Sequence, residues 1–179
     1  MVRTVLVAAI VLRLCNEVCG VLYFFEVLHP SHLRYTFEIK LARDIGINFA
    51  SMHKQIRLVY AQPAECCSEL QNAAVVRNAI VLAERGGCSF LSKAVIAEKM
   101  GASALMVTES VKPENTLVEM IADETGRKVY IPAVYLPGNH GKILRQHLVY
   151  DPSPIVIKIP LNLTYTPVDQ VRRPPWDLW

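Results

Sequence analysis

Residues 80–107, "IVLAERGGCSFLSKAVIAEKMGASALMV", decide how the rest of the chain is read. The run "NAIVLAER" (78–85) is compact, apolar and bounded by Gly86-Gly87, the pattern of a buried strand. Ser89 is a good helix N-cap, because its hydroxyl can accept from an unpaired backbone N–H of the first turn. Leu91, Val95 and the neighbours at 94, 97 and 98 then keep helical spacing up to Met100. Gly101 stands where a left-handed residue closes a helix. "SALMVTES" (103–110) follows as a strand. Strand, helix and strand within about thirty residues make a βαβ unit, with parallel strands and a right-handed crossover.

Outward from this unit the pattern is mostly strands. "VLYFFEVL" (21–28) reads as a buried strand, "LRYTFEIKL" (33–41) alternates with period two, and "QIRLVYA" (55–61) is closed by Pro63. "NTLVEMIADETG" (115–126) predicts a short helix ending at Gly126. "VYIPAVYL" (129–136) is a strand whose Pro132 points to an edge or a strand start. Gly138-Asn139 opens the helix "HGKILRQHL", and "IVIKIPLNLTY" (155–165) gives one or two closing strands. The expectation is an α+β chain of about seven strands with one βαβ unit.

A length of 179 residues suits one domain. With 52% hydrophobic residues, 20% charged and a net charge of +3, the chain is globular and too mildly basic for nucleic acid. Residues 1–20 read as a secretory signal: Arg3 is the positive start, Thr4–Leu12 the apolar core, and Gly20 the last residue before the cut. That core is far short of the roughly 20 apolar residues a bilayer requires, so no membrane anchor is expected. The divisions are a signal at 1–20, a domain at 21–165 and a Pro/Trp tail at 166–179, in a protein secreted to the extracellular space.

Cys15 and Cys19 leave with the signal, and Cys66, Cys67 and Cys88 remain where thiols tend to pair. Adjacent cysteines rarely bond to each other, so one of Cys66 and Cys67 is expected to reach Cys88. The remaining one is a buried inert thiol or a handle for pairing between molecules. Asn162-Leu163-Thr164 is a glycosylation sequon.

None of the familiar catalytic motifs stands in the sequence. No Gly-x4-Gly-Lys-Ser/Thr or Gly-x-Gly-x-x-Gly surrounds the glycine turn, and Lys93 lies within the helix. The amides of residues 86–90 favour an anion only by their place at a helix start, and a tight turn carrying a disulfide is the simpler reading. Gly-x-Ser-x-Gly and His-Glu-x-x-His are both missing. His140 and His147 share a helix face at a spacing unsuited to chelation and read as surface residues. Glu119, Asp123 and Glu124 read as a solvated helix face. No catalytic residue, metal ligand or cofactor is expected.

The opening stretch resembles the core signature of the protease-associated (PA) domain family. The matching positions are Glu84, Arg85, Gly86, Gly87, Cys88, Phe90, Lys93 and Gly101, with Pro132 in the downstream "YIPAVYL". "LYFFEVL", "CSELQN" (67–72), "VEMIADET" (118–125), "IPLNLT" (159–164) and "PPWDLW" extend the likeness to secreted members of the family over nearly the whole chain. The resemblance implies an open β-barrel or sandwich flanked by helices, a Cys67–Cys88 disulfide and a glycan on Asn162. It also implies a domain that contributes binding or substrate access without a catalytic group of its own. The expected function is a secreted, non-catalytic glycoprotein that binds an unidentified protein partner, or alternatively regulates a secreted or lysosomal protease in trans. Trp176 and Trp179 are the aromatic candidates for an interface, against the simpler expectation that the tail folds back on its own domain.

Overall fold

Apolar runs too continuous for a half-exposed sheet become the centre of the structure. A computed structural model describes residues 22–109 and 116–177. The expected signal at 1–20, with Cys15 and Cys19, and Trp179 lie outside the described residues. The strands are β1 (Leu22–His29), β2 (Thr36–Leu41), β3 (His53–Tyr60), β4 (Ile80–Glu84), β5 (Ala104–Thr108), β6 (Ala133–Leu136) and β7 (Ile155–Leu161). The helices are α1 (Ala73–Val76), α2 (Phe90–Lys99) and α3 (Gly138–Tyr150).

All five residues of β5 are buried, as are the first four of β4. Successive side chains of a strand point to opposite faces, so each run feeds two cores. Val81, Ala83, Leu105 and Val107 pack on the side of α2 with Leu91, Ala94 and Ala97. Ile80, Leu82, Ala104 and Met106 face the barrel interior with Phe25, Phe37, Ile39 and Ile157. Parallel strands covered on both faces have this composition.

The strand order is β1-β2-β6-β5-β4-β3-β7, and the barrel is closed. The α+β fold with seven strands is as expected, and only the closure of the barrel departs from the open barrel or sandwich. β7 pairs antiparallel with both β1 and β3, which removes the free edge that an open sheet would leave. The β3–β4, β4–β5 and β5–β6 pairs are parallel, as the βαβ unit requires.

Two further expectations are corrected: the helix at 115–126 and the surface placement of His140 and His147. Residues 116–126 form no helix; Leu117, Val118 and Met120 pack on the core from an irregular chain, and this tertiary contact overrides the local pattern. The run 155–165, expected to give one or two strands, gives one, which ends where the Asn162 side chain accepts from the backbone N–H of Thr164 at 3.0 Å. His140 and His147 are buried, 6% and 8% exposed, because their face of α3 is covered by segments distant in sequence. His147 Nε2 donates to the Ser153 carbonyl at 3.0 Å, and the His140 ring meets Phe37 edge-on and Asp177 at its tip.

The end of the tail is a strap against β2. The Arg172 carbonyl accepts from Thr36 N–H at 2.8 Å, and the Trp176 ring meets Tyr35 edge-on. His140 Nε2 donates to the Asp177 carboxylate at 2.8 Å, fixing the strap to the start of α3.

Candidate functional site

β4 ends at Glu84, and the chain turns into α2 through Gly86 and Gly87, whose φ angles of 113° and 71° lie in the region glycine tolerates. A Cβ on Gly87 would stand 2.5 Å from the Glu65 carboxylate and 3.0 Å from Cys67 Sγ. The space beside this turn is therefore taken by the chain itself. Ser89 caps α2, its Oγ accepting from Ser92 N–H at 3.1 Å.

The facing segment follows β3. There the two adjacent cysteines diverge. Cys66, at φ 51°, turns its side chain into the core, where its Sγ lies 3.6 Å from the Lys93 carbonyl. Burial pushes this thiol up to about 11, so it stays protonated near neutrality. Cys67 faces the glycine turn and is bonded to Cys88, with Cα atoms 5.8 Å apart. The residue that the sequence pattern left open is thus Cys67, as the resemblance implied.

Lys93 binds the same two segments. It is fully buried. Its ammonium donates to the carbonyls of Glu65 and Gly86, each at 2.5 Å, and lies 3.4 Å from Cys67 Sγ and 3.8 Å from Cys88 Sγ. Burial lowers its pKa, against the pull of Glu65, Cys66 and Glu84. Placing it at the fourth residue of α2, one turn in from the cap, aims its stem back along the helix toward the glycine turn.

The other motif residues are similarly engaged. Glu84 Oε1 accepts from the Tyr60 hydroxyl at 2.5 Å and from Arg145 Nη1 at 2.6 Å. Burial and the Glu84 carboxylate both hold the Tyr60 phenol far above its ordinary range. Arg85 pairs with Glu109 at 2.9 Å on the surface. Phe90 packs against the core on the α2 side. Gly101, at φ 81°, closes α2, and its carbonyl accepts from Asn78 N–H at 2.9 Å. Pro132 stands just before β6, its carbonyl accepting from Leu105 N–H at 2.9 Å.

The acidic residues do not share a helix face. Asp123 bonds the Ser89 hydroxyl and Arg127, and hydrogen bonds from Ser89 and Thr125 hold its carboxyl down to about 2. Glu119 instead faces Lys40 and Arg43. Sequence reasoning missed Tyr60, Glu65 and Arg145 and read Asp123 as solvated; the roles of Tyr60, Asp123 and Arg145 arise from contacts 24 to 61 residues distant and that of Glu65 from a backbone carbonyl.

Among the described residues no group of three His, Cys, Asp or Glu is placed to hold a metal ion, and no helix is long and apolar enough to cross a membrane. Trp176 is packed within its own chain against the barrel core. A cavity of about 410 Å³ lies between the strap and the barrel, lined by Glu38, His140, Arg173, Trp176 and Asp177 among others. A second, of about 520 Å³, has Arg57, Tyr60, Val75, Val149, Pro152 and Pro154 among its walls. Val75 and Val149 are 44% and 51% exposed, unusual for valine.

The PA domain matches residues 54–144, the span from β3 into α3 that contains Cys67, Cys88 and Lys93. The chain is 39% identical over 160 residues to the PRADC1-like protein of Drosophila melanogaster, covering 87% of this chain and 82% of that protein. It is 40% identical over 96 residues to signal peptide peptidase-like 2 of Arabidopsis thaliana, spanning 17% of that protein's length. Among solved structures, a zinc aminopeptidase from Bacillus subtilis superposes with a TM-score of 0.54 at 19% identity. The superposition covers 78% of this chain and 30% of the aminopeptidase, a likeness of fold alone. The match from β3 into α3 and the identity along most of the PRADC1-like protein lead to one conclusion: this chain belongs to the PA domain family.

Proposed function

We propose that this chain is an exported, non-catalytic glycoprotein whose PA domain binds another protein. One observation carries the reading: the reactive side chains of the family motif are all engaged in holding the fold. Cys88 is oxidised, the Lys93 ammonium is bound to two carbonyls, and Ser89 is a cap. Glu84 is bonded to both Tyr60 and Arg145. The oxidised Cys88 and the Lys93 ammonium are not nucleophiles as they stand, and Glu84 Oε1 already accepts two hydrogen bonds.

Export is supported by the signal-like residues 1–20 and by an oxidised cysteine pair. Glycosylation is supported by Asn162 and Thr164, both exposed in a turn just past β7. The full chain expressed in secreting animal cells is expected in the medium, beginning at Val21. Its mass should fall on enzymatic removal of N-glycans, with Asn162 converted to Asp. Retention in the cells with Met1 in place, or a mass unchanged by the glycosidase, would refute export or glycosylation respectively.

A second reading, a regulator of a protease acting in trans, is favoured by the 40% identity to a segment of signal peptide peptidase-like 2. It predicts that the bound partner itself has peptidase activity, which the added chain changes.

A further inference from the structure

The Cys67–Cys88 bond has surroundings that a purely structural cystine does not need. Both cysteines are half-buried, whereas Cys66 beside them is fully buried. A single ammonium touches both sulfurs, nearer to Cys67 at 3.4 Å than to Cys88 at 3.8 Å. The same ammonium ties Glu65 to Gly86, so the two segments joined by the cystine are also joined without it. The Glu65 and Gly86 carbonyls stand 3.5 and 3.7 Å from Cys67 Sγ, and the ammonium bonded to both offsets their repulsion of a thiolate there.

We infer that Cys67–Cys88 is an exchangeable disulfide, a redox site that takes a small thiol of the glutathione class, with Lys93 stabilising the departing Cys67 thiolate. The incoming thiolate attacks Cys88 Sγ, the S–S bond breaks, and its electron pair moves to Cys67 Sγ beside the ammonium. A second thiolate attacks the outer sulfur of the mixed disulfide and releases Cys88. The net change is the protein disulfide plus two thiols giving the protein dithiol plus one small-molecule disulfide. A neighbouring cation lowers a thiol's pKa, and a leaving thiol of lower pKa departs faster. Cys66 takes no part, since its thiol is buried and protonated. The site goes beyond the binding function proposed above, which stands whether or not the cystine exchanges.

The test uses the full folded chain in glutathione, quenched with iodoacetamide, with the peptides carrying Cys66, Cys67 and Cys88 quantified by mass. The expected result is labelling of Cys67 and Cys88 but not Cys66, with circular dichroism unchanged. In Lys93→Met the reduction rate should fall by about tenfold, and Lys93→Arg should recover part of it. A cystine that stays intact, Cys66 labelled in step with the other two, or a folded Lys93→Met chain reduced as fast as wild type would each overturn the inference. Should Lys93→Met not fold, the pH profile of wild-type Cys67 alkylation decides. A midpoint below the free-cysteine value of about 8.5 supports the site, and one at or above it contradicts it.

Discussion

Gly141→Ala is expected to lower the thermal midpoint by about 10 °C or to prevent folding. Residue 141 lies in the first turn of α3, where the helix backbone rests on β5. An added Cβ would stand 1.7 Å from Thr108 Oγ1, 2.4 Å from Thr108 Cβ and 2.7 Å from its Cγ2. These distances are far inside van der Waals contact, and Thr108 is buried, 1% exposed. Overpacking of this kind costs about 3 kcal/mol or more, which is roughly 10 °C for a chain of this size. The clash involves Cβ as well as the hydroxyl, so Thr108→Ser or Thr108→Ala should not relieve it. Thr108→Gly combined with Gly141→Ala should be more stable than Gly141→Ala alone, as read by calorimetric melting. Helix propensity alone predicts a gain in stability for Gly141→Ala instead, since alanine favours a helix over glycine by about 1 kcal/mol.

Lys93→Met carries the second large effect. Methionine fills much of the same volume but leaves the Glu65 and Gly86 carbonyls without their donor. Hydrogen bonds to a charged group contribute about 1.5–3 kcal/mol each, and release from burying the ammonium offsets part of that. A net loss of about 2 kcal/mol in urea unfolding is expected. The disulfide closes a sequence separation of 21 residues, for which chain entropy gives about 3 kcal/mol. Because the cystine and the ammonium join the same segments, their removals should not add. Reduced Lys93→Met should be less stable than the two separate losses imply, since only then are the segments untied. Additive losses would show that the two links act independently.

The βαβ unit was legible because its signals are local: two apolar runs, a serine cap and a glycine stop, all within residues 78–108. Closure of the barrel was not, because it depends on β7 finding both β1 and β3, pairings that no nearby residue announces. The spacing of His140 and His147 showed that they share a face but not that Asp177 and Ser153 return to cover it. At the site, the motif named Glu84, Cys88 and Lys93. Their partners were hidden, since Tyr60 and Arg145 reach Glu84 from 24 and 61 residues away. The helix expected at 115–126 failed for a related reason. Its acidic residues answer to Ser89, Lys40 and Arg43, and its apolar residues to the core beside α2.

Protein binding is the claim on which the functional account depends, and the exposed valines give it a direct test. Val75 and Val149 line the 520 Å³ cavity between β3 and α3, and an aspartate at either exposed position should leave the fold intact. The decisive measurement is saturable capture of proteins from the medium of secreting cells by the immobilised folded chain, alongside Val75→Asp/Val149→Asp. The account predicts saturable binding by the wild type, and its loss in the double variant at an unchanged melting temperature would place the binding surface at these valines. Absence of saturable binding by the folded wild type would contradict it.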